Sequence, residues 1–190
     1  MTPVLLLLIS VILFRIAPAV AGSEAVKIMA GWSPLMAFAL CGAAFFPRRW
    51  ALAGGVAAVV VPHLFNNGLQ GYSFWDANLP LLIATVLLVS VLGISAGPKA
   101  HLVTFLGISF LSAVLFHLVS NTVSFFADEG YVKSLTGWLQ AQTTGLPQYS
   151  PQTWVFSAKQ LAGDLLFTLG FVLACRPSRG VEPASIEAHA

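Results

Sequence analysis

Charge is what this sequence most lacks. Only 8% of its 190 residues are Asp, Glu, Lys or Arg, against roughly 25% in ordinary soluble domains. A soluble fold of this length would have too few polar side chains to cover its surface, which excludes that class. The net charge of +2 is too small for a nucleic-acid partner, and none is expected. Cysteine is scarce as well. Cys41 and Cys175 have no metal-ligand spacing and imply no disulfide framework. The chain also lacks a Gly-rich phosphate loop and a His/Cys/Asp cluster at metal spacing. Asp164 and His117 are a conceivable acid–base pair, but the sequence places no nucleophile beside them. No cofactor, no metal and no enzymatic activity are expected.

What the chain does have is apolar length. Hydrophobic residues make up 57% of it, and its mean hydropathy is +0.85. A spanning helix needs about 20 predominantly apolar residues. Six segments approach this: Pro3–Ala21, Gly31–Phe46, Ala51–Leu64, Leu79–Ser95, Leu102–Phe125 and Trp154–Cys175. The expected fold is therefore all-α, an integral membrane bundle of six transmembrane helices over residues 1–176. Residues 177–190 form a polar, disordered cytoplasmic tail. The second and third segments are short and rich in Gly and Ala, which suits close packing inside a bundle. Pro62 is a candidate break in the third. Ala19-Val20-Ala21-Gly22 looks like a signal-peptidase site. A secretory signal carries its charge at the front, whereas here Arg15 interrupts the apolar run, so the first helix is expected to be retained.

Orientation follows from the basic residues. The Pro47–Trp50 turn, the Gly97–Lys99 turn and the tail hold five of the nine: Arg48, Arg49, Lys99, Arg176 and Arg179. The opposite loops carry Lys27 and Lys133 with acidic Glu24, Asp76, Asp128 and Glu129. The positive-inside rule places the Arg48-Arg49 turn, and with six spans both termini, in the cytoplasm of a bacterium, with the bundle in its inner membrane.

The remaining polar residues stand where they are costly. An ionisable group at bilayer depth costs at least ~2.5–3.5 kcal/mol, so it needs a partner, a water-filled cavity or a ligand. At 1.5 Å per residue, Arg15 lies about 18 Å in from the cytoplasmic side and Asp164 about 16–17 Å. Matched depth and opposite charge predict an Arg15–Asp164 ion pair between the first and last helices. Gln160 shares a face with Asp164, whereas Lys159 points elsewhere and can snorkel outward. His117 and Asn121 fall four apart on the fifth helix, and His63, Asn66 and Asn67 close the third. The polar set thus lies at middle-to-outer depth, above cytoplasmic halves that are almost purely apolar. An outward-facing polar pocket explains that asymmetry.

Two outer loops are unusual. Asn66–Asn78 mixes amides with Tyr72, Phe74 and Trp75. In Ala127–Thr153, residues Tyr131, Leu135, Trp138 and Leu139 recur at the spacing of one apolar helix face. That face reads as an interfacial helix with aromatic anchors, or as a lid over the pocket.

Several short pieces, in order along nearly the whole chain, carry a resemblance. They are Arg15-Ile16-Ala17-Pro18; Ser33 to Leu40 followed by Gly42-Ala43-Ala44-Phe45-Phe46; Ser120-Asn121; Tyr131 to Gly137; and Gly163-Asp164-Leu165-Leu166-Phe167. Together the chain resembles uncharacterised bacterial six-helix membrane proteins similar to the substrate-binding S components of energy-coupling factor vitamin transporters. The resemblance implies an S-component-like fold, capture of a small molecule at the outer face, and an ATP-driven energising module as partner. Departures are visible. The family's acidic residue after the third helix is replaced by His63 or absent. The first helix reads Leu5-Leu6-Leu7-Leu8-Ile9, without the small-xxx-small face such partners use. The small residues sit on the second helix, at Ala37 with Cys41 and Ala39 with Ala43, so a solitary S-like protein is the other possibility.

The expected function is binding of a small vitamin-like or nucleobase-like solute at the outer face for uptake. His63, Asn66, Asn67, His117, Asn121, Gln160 and Asp164 are the candidate solute ligands, with Arg15 fixing Asp164. The competing expectation is a structural or assembly subunit whose buried polar groups are interhelical glue. Its partners would be protein chains and the lipid bilayer, with no solute.

Overall fold

A computed structural model describes residues 2–20, 32–71, 73–75, 78–148 and 152–175. The expected tail, the loop residues Glu24, Lys27 and Asp76, and the basic residues Arg176 and Arg179 lie outside them. Among the described residues the chain is all-helical. Its elements are α1 (Thr2–Val20), α2 (Leu35–Phe45), α3 (Arg48–Gln70), α4 (Asn78–Ala96), α5 (Leu102–Ala127), α6 (Leu135–Gln142) and α7 (Thr153–Cys175).

Four of these, α3, α4, α5 and α7, are long and apolar enough to cross a membrane. Their outward surfaces carry exposed Val61, Leu88, Val91, Val103, Leu111, Leu166 and Leu173, which suits hydrocarbon and not water. The expectation of six equivalent spans needs revision at the second segment. The helix there has 11 residues, a length of about 16 Å against a hydrocarbon core of about 30 Å. Its apolar run reads like a span because it is buried by protein and not by lipid. Leu35 to Ala44 are all buried, and α2 packs on α1, α3, α4, α5 and α7.

The core is built on that half-helix. Leu35, Phe38 and Leu40 pack with Val59, Val86, Val89, Phe105 and Val172. Phe45 stacks on Phe105, with ring centroids 5.5 Å apart, so the C-terminal end of α2 sits beside the start of α5. This is the basic end of the bundle, with the turns at Arg48-Arg49 and Lys99. The first turn of α2 points toward the bundle interior. Small residues bring the helices close. A Cβ on Gly55 would stand 2.9 Å from Val86 Cγ1, and one on Gly54 3.4 Å from the Phe38 ring. Ala37, Ala39, Cys41 and Ala43, the small residues noted on the second segment, are all buried inside this bundle.

Pro62 does not break α3, which runs unbroken from Arg48 to Gln70. One missing N–H is tolerated where neighbouring helices pack around it. The helix ends at Gly71, whose φ of 71° supplies the left-handed cap. Asn66 and Asn67 therefore belong to its last turns and not to a loop.

The α5–α6 connection is held by Lys133. Its ammonium donates to the carbonyls of Phe125 and Asp128 and lies 5.1 Å from the Phe125 ring centroid. It closes the carbonyl end of α5, where a cation is favoured by the helix dipole. Ser134 caps α6 by accepting from the Gly137 N–H at 3.2 Å. The apolar face expected of α6 is split. Tyr131 is buried and Trp138 half-buried against Phe125, Ala141 and Leu146. Leu135 and Leu139 face outward with Val132 and Phe126.

Candidate functional site

Three polar groups occupy the bundle, and α7 links two of them. Thr153, Ser157, Gln160, Asp164 and Thr168 recur at helical spacing on one face of that helix.

The central group surrounds the first turn of α2. Asp164 has no solvent exposure. It lies 11 residues from either end of α7, or about 16 Å along the axis. The chain before α2 runs beside Gly163: a Cβ there would be in ordinary contact with Ser33 N and Trp32 Cα at 3.5 Å. The carboxylate is thereby set against the Met36 and Ala37 N–H groups, which act on it together with the Arg15 guanidinium. Those N–H groups are among the four that every helix start leaves without an internal partner. Yet among the described residues neither carboxylate oxygen has a donor in full hydrogen-bond geometry, so these N–H groups stand near it without a well-formed bond. Arg15 turns instead to Ser33, donating from Nη1 to Oγ at 3.3 Å, and Ser33 Oγ also accepts from the Leu35 N–H. The Arg15 Nε has no partner. Arg15 and Asp164 thus attract one another electrostatically across α1 and α7 without bonding. The Phe14 and Phe167 rings beside them meet edge to face at 5.7 Å.

The second group joins α5, α6 and α7. His117 Nδ1 is bonded to Ser157 Oγ and lies 2.9 Å from Asn121 Nδ2. Nδ1 thus meets both the Ser157 hydroxyl and the Asn121 amide. Asn121 Nδ2 also donates to the His117 carbonyl at 2.8 Å. Gln142, buried at the end of α6, donates to the Leu118 carbonyl and to Thr122 Oγ1, and Trp138 Nε1 donates to the same hydroxyl. The Gln142 Oε1 has no partner.

The third group is on α3. Asn66 Nδ2 donates to the Arg15 carbonyl at 3.4 Å, and its Oδ1 is unpartnered. Asn67 Nδ2 lies 3.2 Å from His63 Nε2 and donates to the Ser73 carbonyl at 2.7 Å. α3 packs on α1, α2 and α4 but not on α5 or α7. His63, Asn66 and Asn67 therefore stand apart from His117, Asn121 and Gln160, and Arg15 is the link toward Asp164. Gln160 is half-buried with no hydrogen-bond partner among the described residues.

Ser33, Gln142 and Ser157 are absent from the sequence-derived set, although Ser157 shares a helix face with Gln160 and Asp164. The basic half is also less apolar than expected. Thr168 Oγ1 donates to Ser109 Oγ at 3.2 Å in its interior, and Ser90 and Ser112 are buried there without partners. Their small hydroxyls pass as apolar in a hydropathy reading.

The class these features define is an all-helical bundle of membrane type with ionisable groups at its centre. The chain belongs to a family of unknown function (DUF6580), which matches residues 1–178. No curated protein and no solved structure matches it.

Proposed function

We propose that the protein takes up a small, polar, hydrogen-bonding solute through the inner membrane of a bacterium. In this reading the fold is S-component-like, with α1 as a further crossing and α2 as a half-helix. The basic end, with both termini, faces the cytoplasm, and the solute enters from the opposite side.

One observation carries the reading: α2 starts at mid-depth, between Arg15, Ser33 and Asp164. Transporters place binding groups at the bilayer midplane with helices that stop there, and the freed N–H groups face the ligand. Packing alone gains nothing from a helix start inside hydrocarbon, where its N–H groups lack water. Gln160 is the first contact for a solute, with His117 and Asn121 along the approach and Asp164 beneath them, while His63, Asn66 and Asn67 stand on the α3 side with Arg15 as the link. An ATP-driven module is the candidate energy source, docking on surfaces other than the buried α2.

A thermal-shift screen of the detergent-purified protein against vitamins and nucleobases tests this, because a ligand that binds only the folded state raises its stability by mass action. At least one compound should raise the midpoint, and Gln160→Ala should abolish the rise. A flat response across the panel sinks the proposal. The second reading, a structural or assembly subunit, is favoured by the mutual bonding of His117, Asn121 and Ser157. It would stand if no compound binds.

A further inference from the structure

Asp164 is enclosed by protein on every side. Its residue exposure is 0%, and each carboxyl oxygen has less than 1 Å² of accessible surface and no hydrogen-bond partner. From α1 it is faced by Arg15, and from α2 by the Met36 and Ala37 N–H groups. The one titratable side chain of α2 is Cys41, and that of α5 is His117, which is tied to Ser157 two turns along α7. On α7 itself the others are Lys159 and Cys175.

An ionised carboxylate buried without hydrogen bonds is among the costliest arrangements in a protein. It would draw in the nearest guanidinium. Arg15 instead keeps Ser33 and leaves its Nε unpartnered. A proton on one oxygen removes that charge without displacing protein atoms.

We propose that Asp164 is a proton-binding site at the centre of the bundle, and that its proton governs whether Arg15 closes onto it. With the proton on Oδ, the group is neutral, and Arg15 and the first turn of α2 stay open. When the proton passes to water reaching Gln160, one turn toward the far end, the carboxylate gains its charge. Arg15 and the Met36 and Ala37 N–H groups then close on it. The inference deepens the uptake reading by naming the coupling ion, and rests on that reading only for its consequence. Its test needs no solute, so the two fail separately.

The chain has three aspartates, Asp76, Asp128 and Asp164, so the full-length protein labelled with carbon-13 at the aspartate carboxyl gives three resonances to titrate. Asp164→Asn assigns the buried one. Should that variant not fold, Asp76→Asn and Asp128→Asn assign it by elimination. The Asp164 resonance is expected to pass from its acid to its carboxylate position within the pH range over which the protein stays folded. In Arg15→Gln the acid form should persist to higher pH, by about one unit or more, because the carboxylate has lost its cation. An Asp164 resonance that stays a carboxylate over that whole range overturns the proton site. A titration unchanged by Arg15→Gln overturns the control of Arg15.

Discussion

The carbonyl oxygen of Leu40 occupies the space where Gly93 would carry a side chain. A Cβ built on Gly93 stands 2.2 Å from that oxygen and 3.2 Å from Ala43 Cβ. Helices surrounded by lipid gain little from apolar burial against one another, so close backbone contact and small residues drive their association. Here that contact joins α4 to the buried half-helix on which the bundle is built.

Gly93→Ala should therefore force α2 and α4 apart. Overpacking of this kind costs about 3 kcal/mol, and the backbone atom it strikes has nowhere to turn. Gly107→Ala is the control, since a Cβ there meets nothing within 4 Å. Thermal unfolding followed by size-exclusion in detergent should show an early loss of the monodisperse Gly93→Ala protein and a Gly107→Ala profile like the parent's. Equal profiles would mean that the two helices do not meet as described.

Lys133 is best understood as a helix cap, although its place in an outer loop makes it look like a stray charge. Lys133→Met keeps the stem and removes the donors to the Phe125 and Asp128 carbonyls. Hydrogen bonds from charged groups are worth about 1.5–3 kcal/mol. Hydrogen exchange should accelerate across residues 125–142 while α2 and α4 stay protected. Unchanged exchange there would remove the capping role.

The sequence made the helices and the membrane class legible because hydropathy reports burial away from water. It could not say what does the burying. The run through Leu35 to Phe45 looks like a short span, and only the tertiary structure reveals a half-helix enclosed by protein. Pro62 reads as a breaker on rules drawn from isolated helices, and packing overrides it. Depth arithmetic brings Arg15 and Asp164 to one level, but Arg15 bonds Ser33 instead of the carboxyl group. It has no term for Ser33 or for the first turn of α2, which arrive between them from a distant part of the chain. The polar residues of α3 and α5 share a depth as well, but depth does not fix the angle around the bundle, and the two sets lie on different sides.

The His117–Ser157 bond ties α5 to α7 and should register in a double-mutant cycle. Ser157→Ala and His117→Ala each remove one partner, and once either is gone the other mutation has less to lose. A coupling of about 1 kcal/mol is expected, typical of a neutral hydrogen bond. Asn121→Ala should change the same coupling, since its amide meets the same ring nitrogen. Additive losses would mean that the contact adds nothing to stability.

The same construction applied to Arg15 and Asp164 tests how the two charges share the centre of the bundle. Asp164→Ala should cost a few kcal/mol, because it opens a cavity at the fully buried centre of the bundle. Arg15→Leu combined with Asp164→Leu should be milder than the sum of the single changes. The coupling should also depend on pH. While Asp164 carries its proton the two side chains hold little mutual attraction, so the cycle should give a small value in mildly acidic buffer. In alkaline buffer the ionised carboxylate claims the guanidinium, and the coupling should rise to about 1–3 kcal/mol. A coupling that is large and the same at both ends would describe a permanent ion pair. A value near zero throughout would mean that the two residues, although they face one another, are energetically independent.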